Sequence, residues 1–237
     1  MAIGMHRDVL DDLGGRIASG ELAPGTVLTL SLIEKDSGAS RTVVREAVRV
    51  LESIGLVASR RRVGITVQPR ESWDAFSPQL IAWNLRGPFR QQQLEALAEL
   101  RVAAEPMAAR LAARRATAAQ RAELRRLADV LVDLGSRGLG DSDPYLAADV
   151  EFHALLLAAS GNPQLAALAD PVRAVLEGRT RLGLTPSVPA AGTLENHMRV
   201  ALAIVDGEAE TAEQHSRAHM HTVWAELAEP GVWTRTV

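Results

Sequence analysis

Ser40-Arg41-Thr42-Val43-Val44-Arg45-Glu46-Ala47-Val48-Arg49-Val50-Leu51-Glu52-Ser53-Ile54-Gly55-Leu56-Val57 is the stretch that decides the fold of this chain. Val44, Ala47, Val48, Leu51 and Ile54 recur at steps of three and four, which gives a helix one apolar face. Arg41, Arg45 and Arg49 step by four and share a different face. Ser40 suits an N-cap, and Gly55 stands where the helix would stop. A short helix with a packing face and an arginine stripe is what the DNA major groove requires. A solvated surface helix is the alternative, because arginine stripes also serve solubility alone.

The next residues favour the groove. Val57-Ala58-Ser59-Arg60-Arg61-Arg62-Val63-Gly64-Ile65-Thr66-Val67 reads as two short strands around a basic turn, with Gly64 permitting a tight reversal. A basic hairpin directly after a basic helix is a wing. From Arg41 to Arg62 six arginines face only Glu46 and Glu52, a local charge of +4 in a chain of net −3. Phosphate contacts need such an excess.

Composition bounds the remainder. At 237 residues, with 47% hydrophobic but only 3% aromatic content, the core must be aliphatic. Ala and Leu favour helices, so a mostly α protein follows. The absence of cysteine excludes a disulfide framework and thiolate metal sites. No apolar run approaches a membrane span and the N-terminus has no signal-peptide core, so a cytoplasmic protein is expected. Residues 1–70 hold 10 basic and 8 acidic residues, whereas the rest of the chain holds 16 and 21. That asymmetry predicts two domains with different partners. The expected boundaries are a DNA-binding domain over 1–70, a linker and domain start over 71–90, and an effector domain over 91–237.

Along the first domain, residues 5–19 read as a helix and residues 20–28 as a turn with Pro24-Gly25. A short helix is expected over about Ser31 to Lys35, then the basic helix and the hairpin: a winged helix-turn-helix. Gly20, Leu22, Pro24, Gly25 and Leu28, the run Ser40 to Val57, and then Arg62, Gly64 and Val67 together resemble the DNA-binding domain of GntR-family transcription regulators. The resemblance implies that Arg41, Thr42 and Arg45 approach bases or nearby phosphates and that Arg49 meets the backbone. It implies that the basic tip, with Arg62 and Gly64, reaches the minor groove. Asp36 and Ser37 depart from the pattern, standing where relatives carry apolar residues, so the second helix is expected to be short or poorly packed.

The second domain reads as helices throughout: 94–112 with a kink at Pro106, then 119–134, 144–160, 163–182, 191–205 and 208–227. This is an antiparallel helical bundle. The Gly-rich loop 135–143 follows a helix and lacks the Lys-Ser/Thr ending of a phosphate-binding loop.

Asp149 and His153 are four apart in an otherwise apolar run, and His197 and His219 lie on two further helices. One Asp and three His can form a divalent metal site of N and O ligands. From spacing alone only the Asp149–His153 step has a geometric warrant, and separate histidines satisfied locally are the stronger reading. The stretches Asp149 to Asn162, Glu195 to Ile204 and His219-Met220, however, resemble the all-helical FCD effector domain of the FadR subgroup of GntR regulators. In metal-binding members the ligands are one Asp and three His, and the resemblance places them on Asp149, His153, His197 and His219. His215 and His221 match no ligand position. Arg101 lies in Glu99 to Ala113, another family hallmark, and the resemblance implies that it grips a carboxylate of the effector. A guanidinium fork suits that task; the alternative is a salt bridge to Glu105 at the i+4 position. The segment from Trp73 to Pro88 is similar to the domain start of members responding to sugar acids.

The expected function is a metabolite-responsive regulator, acting as a repressor. A homodimer would bind a palindromic operator in double-stranded DNA, and a divalent metal (Zn, Ni, Mn or Fe) and a small carboxylate would bind in the bundle. The alternatives are a metal-dependent hydrolase with an accessory DNA-binding domain, and a DNA-binding protein with a structural metal and no effector. Against the hydrolase, Glu151 is two residues from each of Asp149 and His153 and points off their face.

Overall fold

The computed structural model describes residues 2–228, with side chains described over 5–224. The chain divides into two compact units, residues 1–90 and 91–237.

In the first unit, α1 (Ala2–Ala18) is followed by β1 (Val27–Leu28), α2 (Leu30–Ser37), α3 (Arg41–Ser53), β2 (Val57–Arg60), β3 (Gly64–Val67) and α4 (Pro78–Arg86). The apolar face read from the sequence is the packed one: Val44, Ala47, Val48 and Leu51 of α3 are buried against Val9, Leu13 and Ile17 of α1 and against Leu56, Val57, Ile65 and Val67 of the sheet region. Ser40 caps α3 by accepting from the Val43 amide, and Thr29 caps α2 by accepting from Leu32. Helix α2 is short and buries only Ile33. Ser37 donates to the Ile33 carbonyl at 2.6 Å and accepts from the Ala39 amide, so a polar residue closes the helix.

Residues 27–28, read from the sequence as part of a turn, form an edge strand. The sheet order is β1-β3-β2, with Val27 opposite Thr66 and Val57 opposite Val67. Two residues carry too little pattern to read as a strand, and β3 imposes their conformation. Gly64 sits in β3 opposite Arg60 at φ 116°, a conformation that favours glycine, and the reversal before it takes a second positive φ at Arg62, 67°. A Cβ on Gly64 would lie 2.7 Å from the Leu28 carbonyl oxygen, so the glycine admits β1 beside the hairpin. Glu52 accepts from the Ser59 amide at 2.7 Å, which ties α3 to the wing.

The stretch expected to be a linker over 71–90 contains α4, and the first compact unit extends through it to Arg90. Ser77 caps this helix and Pro78 begins it. Trp83 is 3% exposed, covers Gly14 of α1 and donates from Nε1 to Asp11 Oδ1 at 2.9 Å. The strand pattern ends at Pro69, which conceals that the chain goes on to complete the same core.

The second unit is helical over its described residues: α5 (Arg90–Arg115), α6 (Ala118–Ser136), α7 (Asp143–Ala159), α8 (Pro163–Ala166), α9 (Ala169–Arg181), α10 (Thr193–Asp206) and α11 (Ala209–Ala228). Helix α10 packs on α6 and α11, and α7 on α6 and α9. The core is aliphatic, with Leu124, Leu127, Leu131, Leu156, Leu157 and Ile204 buried and alanines such as Ala109, Ala128 and Ala201 where helices approach closely. Helix α5 is continuous through Pro106. The helix expected over 163–182 is two, α8 and α9. Pro171 has no N–H to offer the Ala167 carbonyl, so α9 begins at Ala169 and leaves Pro171 in the first turn, where amides have no helical partner.

Candidate metal and effector site, with the basic helix face

Arg41, Thr42, Arg45 and Arg49 are all on the exposed side of α3, opposite its buried face, and Arg62 is exposed at the wing tip. Arg49 pairs with Glu46 at 2.6 Å and Arg41 approaches Glu34 at 3.8 Å. Among the described residues, Arg45 has no acid within ion-pair reach. Gly64 is half-buried beneath β1.

In the second unit the fold brings Asp149, His153, His197 and His219 together from α7, α10 and α11. The i,i+4 step on α7 puts Asp149 Oδ1 3.5 Å from His153 Nε2. Asp149 Oδ1 is 3.3 Å from His197 Nε2, and the two Nε2 atoms are 3.4 Å apart. The three histidines are at most 4% exposed and offer ring nitrogens within 4.8 Å of one another. Phe152 stands edge-on to His153 and His197 and backs the cluster with an apolar wall.

Two contacts select the tautomers of the neutral rings. His197 Nδ1 is 3.0 Å from the Thr193 carbonyl, to which it can only donate, so its Nε2 lone pair faces the cluster. Arg101 Nη2 is 3.1 Å from His153 Nε2. A guanidinium has no acceptor, so this Nε2 also carries a lone pair.

Such donors fit a divalent cation. Metal–ligand bonds of about 2.0–2.2 Å at tetrahedral angles separate donors by about 3.3–3.6 Å. The Asp149, His153 and His197 atoms already hold that spacing. His219 Nδ1 is buried without a protein partner among the described residues, a costly arrangement unless a ligand or water completes it.

The electrostatics of the protein groups alone agree for Asp149 and His219 and run the other way for His153. Burial opposes the charged form of His153, but Glu105 and Asp149 outweigh burial and Arg101 and raise its pKa, so a cation binding there would displace a proton. Burial, and then the neighbouring His197 and His153, hold His219 well below the usual histidine pKa, so it is neutral at pH 7. Burial opposes ionisation of Asp149, but His153 and His197 outweigh it and hold its carboxyl well below the usual range. Burial likewise opposes ionisation of Glu105, and Arg101 and His153 bring it down to about 2. An ionised carboxylate and a neutral imidazole are the ligand forms a metal takes.

Arg101, 4% exposed, borders the cluster. The salt bridge to Glu105 is present, with Nε 2.5 Å from Oε1. Arg101 and the four cluster residues line one small cleft, part of it open to solvent. Its other walls carry residues that the sequence did not single out: Arg179, Thr180, Thr185 and Thr193. The advance signal for Arg179, Thr180 and Thr193 was their polarity inside helices of an apolar bundle; Thr185, in the loop after α9, gave none. Glu105 was read only as a partner of Arg101, yet its Oε2 lies 2.7 Å from His153 Nδ1. His215 is half-buried and His221 exposed, and neither joins the cluster. Glu151 is exposed, so the cleft gains no general base from it.

Comparison with known proteins places this arrangement. Residues 6–67 match the family described as bacterial regulatory proteins, gntR family, and residues 96–222 match the FCD domain. The chain is 29% identical over 219 residues to the galactonate operon transcriptional repressor of Escherichia coli (strain K12), covering 90% of this chain and 93% of that one. It is 32% identical over 161 residues to the uncharacterized HTH-type transcriptional regulator YieP of the same strain, covering 68% and 69%. The HTH-type transcriptional regulator LutR of Bacillus subtilis (strain 168) is 29% identical over 87% of this chain and 94% of its own length. Among solved structures, E. coli McbR/YncC superposes with a TM-score of 0.53 at 22% identity, over 94% of this chain and 96% of that one, which supports the fold. These relatives are regulators, so the metal-dependent hydrolase reading falls. A winged domain with a basic helix, followed by an FCD domain covering most of the second unit, makes this chain a member of the GntR family of bacterial transcription regulators.

Proposed function

We propose that this regulator is a cytoplasmic, metabolite-responsive repressor. On this reading a homodimer binds a palindromic operator through Arg41, Thr42, Arg45 and Arg49 of α3 and the wing around Arg62 and Gly64. Asp149, His153, His197 and His219 hold a divalent metal, and Arg101 holds a small carboxylate effector such as a sugar acid. The observation that carries the proposal is the meeting of a carboxylate and three buried imidazoles beside a buried guanidinium in one cleft. Similarity to a galactonate operon repressor over nine-tenths of the chain supports the sugar-acid class.

When bound, the metal supplies Lewis-acid positions for the oxygens of the effector. The protein does the rest. Arg101 meets the carboxylate with paired N–H donors. Thr180, Thr185 and Thr193 offer hydroxyls to a polyhydroxylated chain. Phe152 and the aliphatic core keep water from the back of the cluster. The effector releases DNA only to the extent that it binds the DNA-incompetent state more tightly.

Fluorescence anisotropy of a labelled operator, titrated with galactonate, gluconate and simpler carboxylates, tests the proposal. Release by a sugar acid from metal-loaded protein, and not from chelator-stripped protein, is the expected result. Equal release after stripping would remove the metal from the mechanism. No release by any acid would favour a structural metal without an effector.

A further inference from the structure

We propose that Glu105 is a positioning residue of the metal site: it fixes the tautomer and orientation of His153 while holding Arg101 beside it. The inference rests on the metal reading above.

The geometry is a chain of donors and acceptors with one consistent assignment. An ionised carboxylate can only accept, and Glu105 Oε1 takes Arg101 Nε at 2.5 Å. The second oxygen lies 2.7 Å from His153 Nδ1, close but not aligned as a regular hydrogen bond. Neither of these two atoms has another partner among the described residues, so each is the other's available one. From the opposite side of the ring, Arg101 Nη2 approaches His153 Nε2 at 3.1 Å. Because guanidinium nitrogens only donate, Nε2 accepts and the ring proton belongs on Nδ1, facing Glu105. This is the tautomer required for ligation through Nε2.

Histidine ligands usually anchor their other ring nitrogen on a carboxylate or carbonyl, which sets the ring's orientation and raises its basicity. His197 does so on the Thr193 carbonyl. Glu105 is the counterpart for His153. It is 1% exposed, as is His153, so water does not compete for the contact. The four-residue step on α5 brings Arg101 and Glu105 to one face. A single carboxylate thereby spans the proposed metal ligand and the proposed effector anchor.

The test uses full-length protein stripped of metal. Zn²⁺ affinity is measured by competition with a chromophoric chelator, alongside the visible bands of a Co²⁺-loaded sample. Glu105→Ala should weaken Zn²⁺ binding about ten- to hundredfold. Glu105→Gln should lose less, since its one carbonyl oxygen can still accept from Nδ1 but must be shared with Arg101. Co²⁺ bands should shift in both variants. Unchanged affinity and bands with only a lower melting temperature would mean that Glu105 is structural, and would overturn the proposal. Glu105→Ala strands a buried guanidinium, so Arg101→Gln is compared with the charge-balanced Arg101→Gln/Glu105→Gln pair. A further loss of Zn²⁺ affinity in the pair is expected, and equal affinities would overturn the proposal. Wild-type protein that binds no Zn²⁺ would instead remove the metal reading, and this inference with it.

Discussion

Replacing Gly14 by Ala sets two physical terms against each other in one helix. Gly14 lies inside α1, where Ala is favoured over Gly by about 1 kcal/mol. The new methyl, however, would meet three carbons of the Trp83 ring at 2.3, 2.4 and 2.5 Å. Carbon atoms pack best at about 3.5–4.0 Å, so the indole must retreat by about 1 Å. It has little room, being buried and bonded through Nε1 to Asp11. Overpacking of this kind costs about 1–3 kcal/mol, and loosening the Asp11 bond adds about 1 kcal/mol at a half-exposed acceptor. The clash wins, and Gly14→Ala should destabilise the first unit by about 1–3 kcal/mol. Amide exchange of the α1 peptides, read by mass spectrometry on the full chain, should then show protection reduced by about five- to 150-fold, at 1.4 kcal/mol per factor of ten. In a Trp83→Leu background the same substitution should instead increase protection, because only the propensity term remains. An equal effect in both backgrounds, or a gain in the wild-type background, would refute the packing of α4 over α1.

Arg45→Ala should weaken operator binding by about 1–3 kcal/mol with an unchanged melting temperature, since its side chain is exposed and unpaired among the described residues; equal affinity would remove α3 from the groove. Sedimentation should give a dimer that protects a two-fold symmetric site, because one small winged domain offers too little contact for tight specific binding; a monomer bound to an asymmetric site at full affinity would contradict this.

Much of this was legible in the sequence because it is local. Helix α3 carries its packing face and its arginine stripe in consecutive turns, and Asp149 announces His153 by their spacing. What was hidden depends on partners distant in sequence. Val27 and Leu28 become a strand only because β3 lies beside them. Residues 78–86 become part of the first core only because Gly14 leaves a flat place for an indole. The pattern 163–182 looks continuous, yet the missing amide of Pro171 divides it. In the site, the spacing suggested that Glu105 pairs with Arg101, and it does. That the other carboxylate oxygen reaches His153, on a different helix, could not be read from either segment. The approach of His197 and His219 was likewise available only through a family resemblance, because helix periodicity says which residues share a face and not which faces meet.

The proposed coupling has a short covalent route. Helix α5 starts at Arg90, the residue that ends the first unit, and reaches Arg101 without a break. The segment Arg90-Gln91-Gln92-Gln93-Leu94-Glu95-Ala96-Leu97-Ala98-Glu99-Leu100-Arg101 contains no glycine, no proline and no β-branched residue. Every residue in it is a strong helix former, and at 1.5 Å per residue it spans about 16 Å. Pro106, the one residue that removes a hydrogen bond from the helix, lies beyond Arg101 on the side away from the boundary. This rod does not run on into α4: the turn Gly87-Pro88-Phe89 separates the two helices, so any displacement of Arg101 reaches the end of α5 undiminished and then meets that turn. Coupling of this kind is typically worth about 1–3 kcal/mol, five- to 150-fold in operator affinity. On the proposed reading, an effector held by Arg101 would have to supply that difference in affinity between the two operator-binding states.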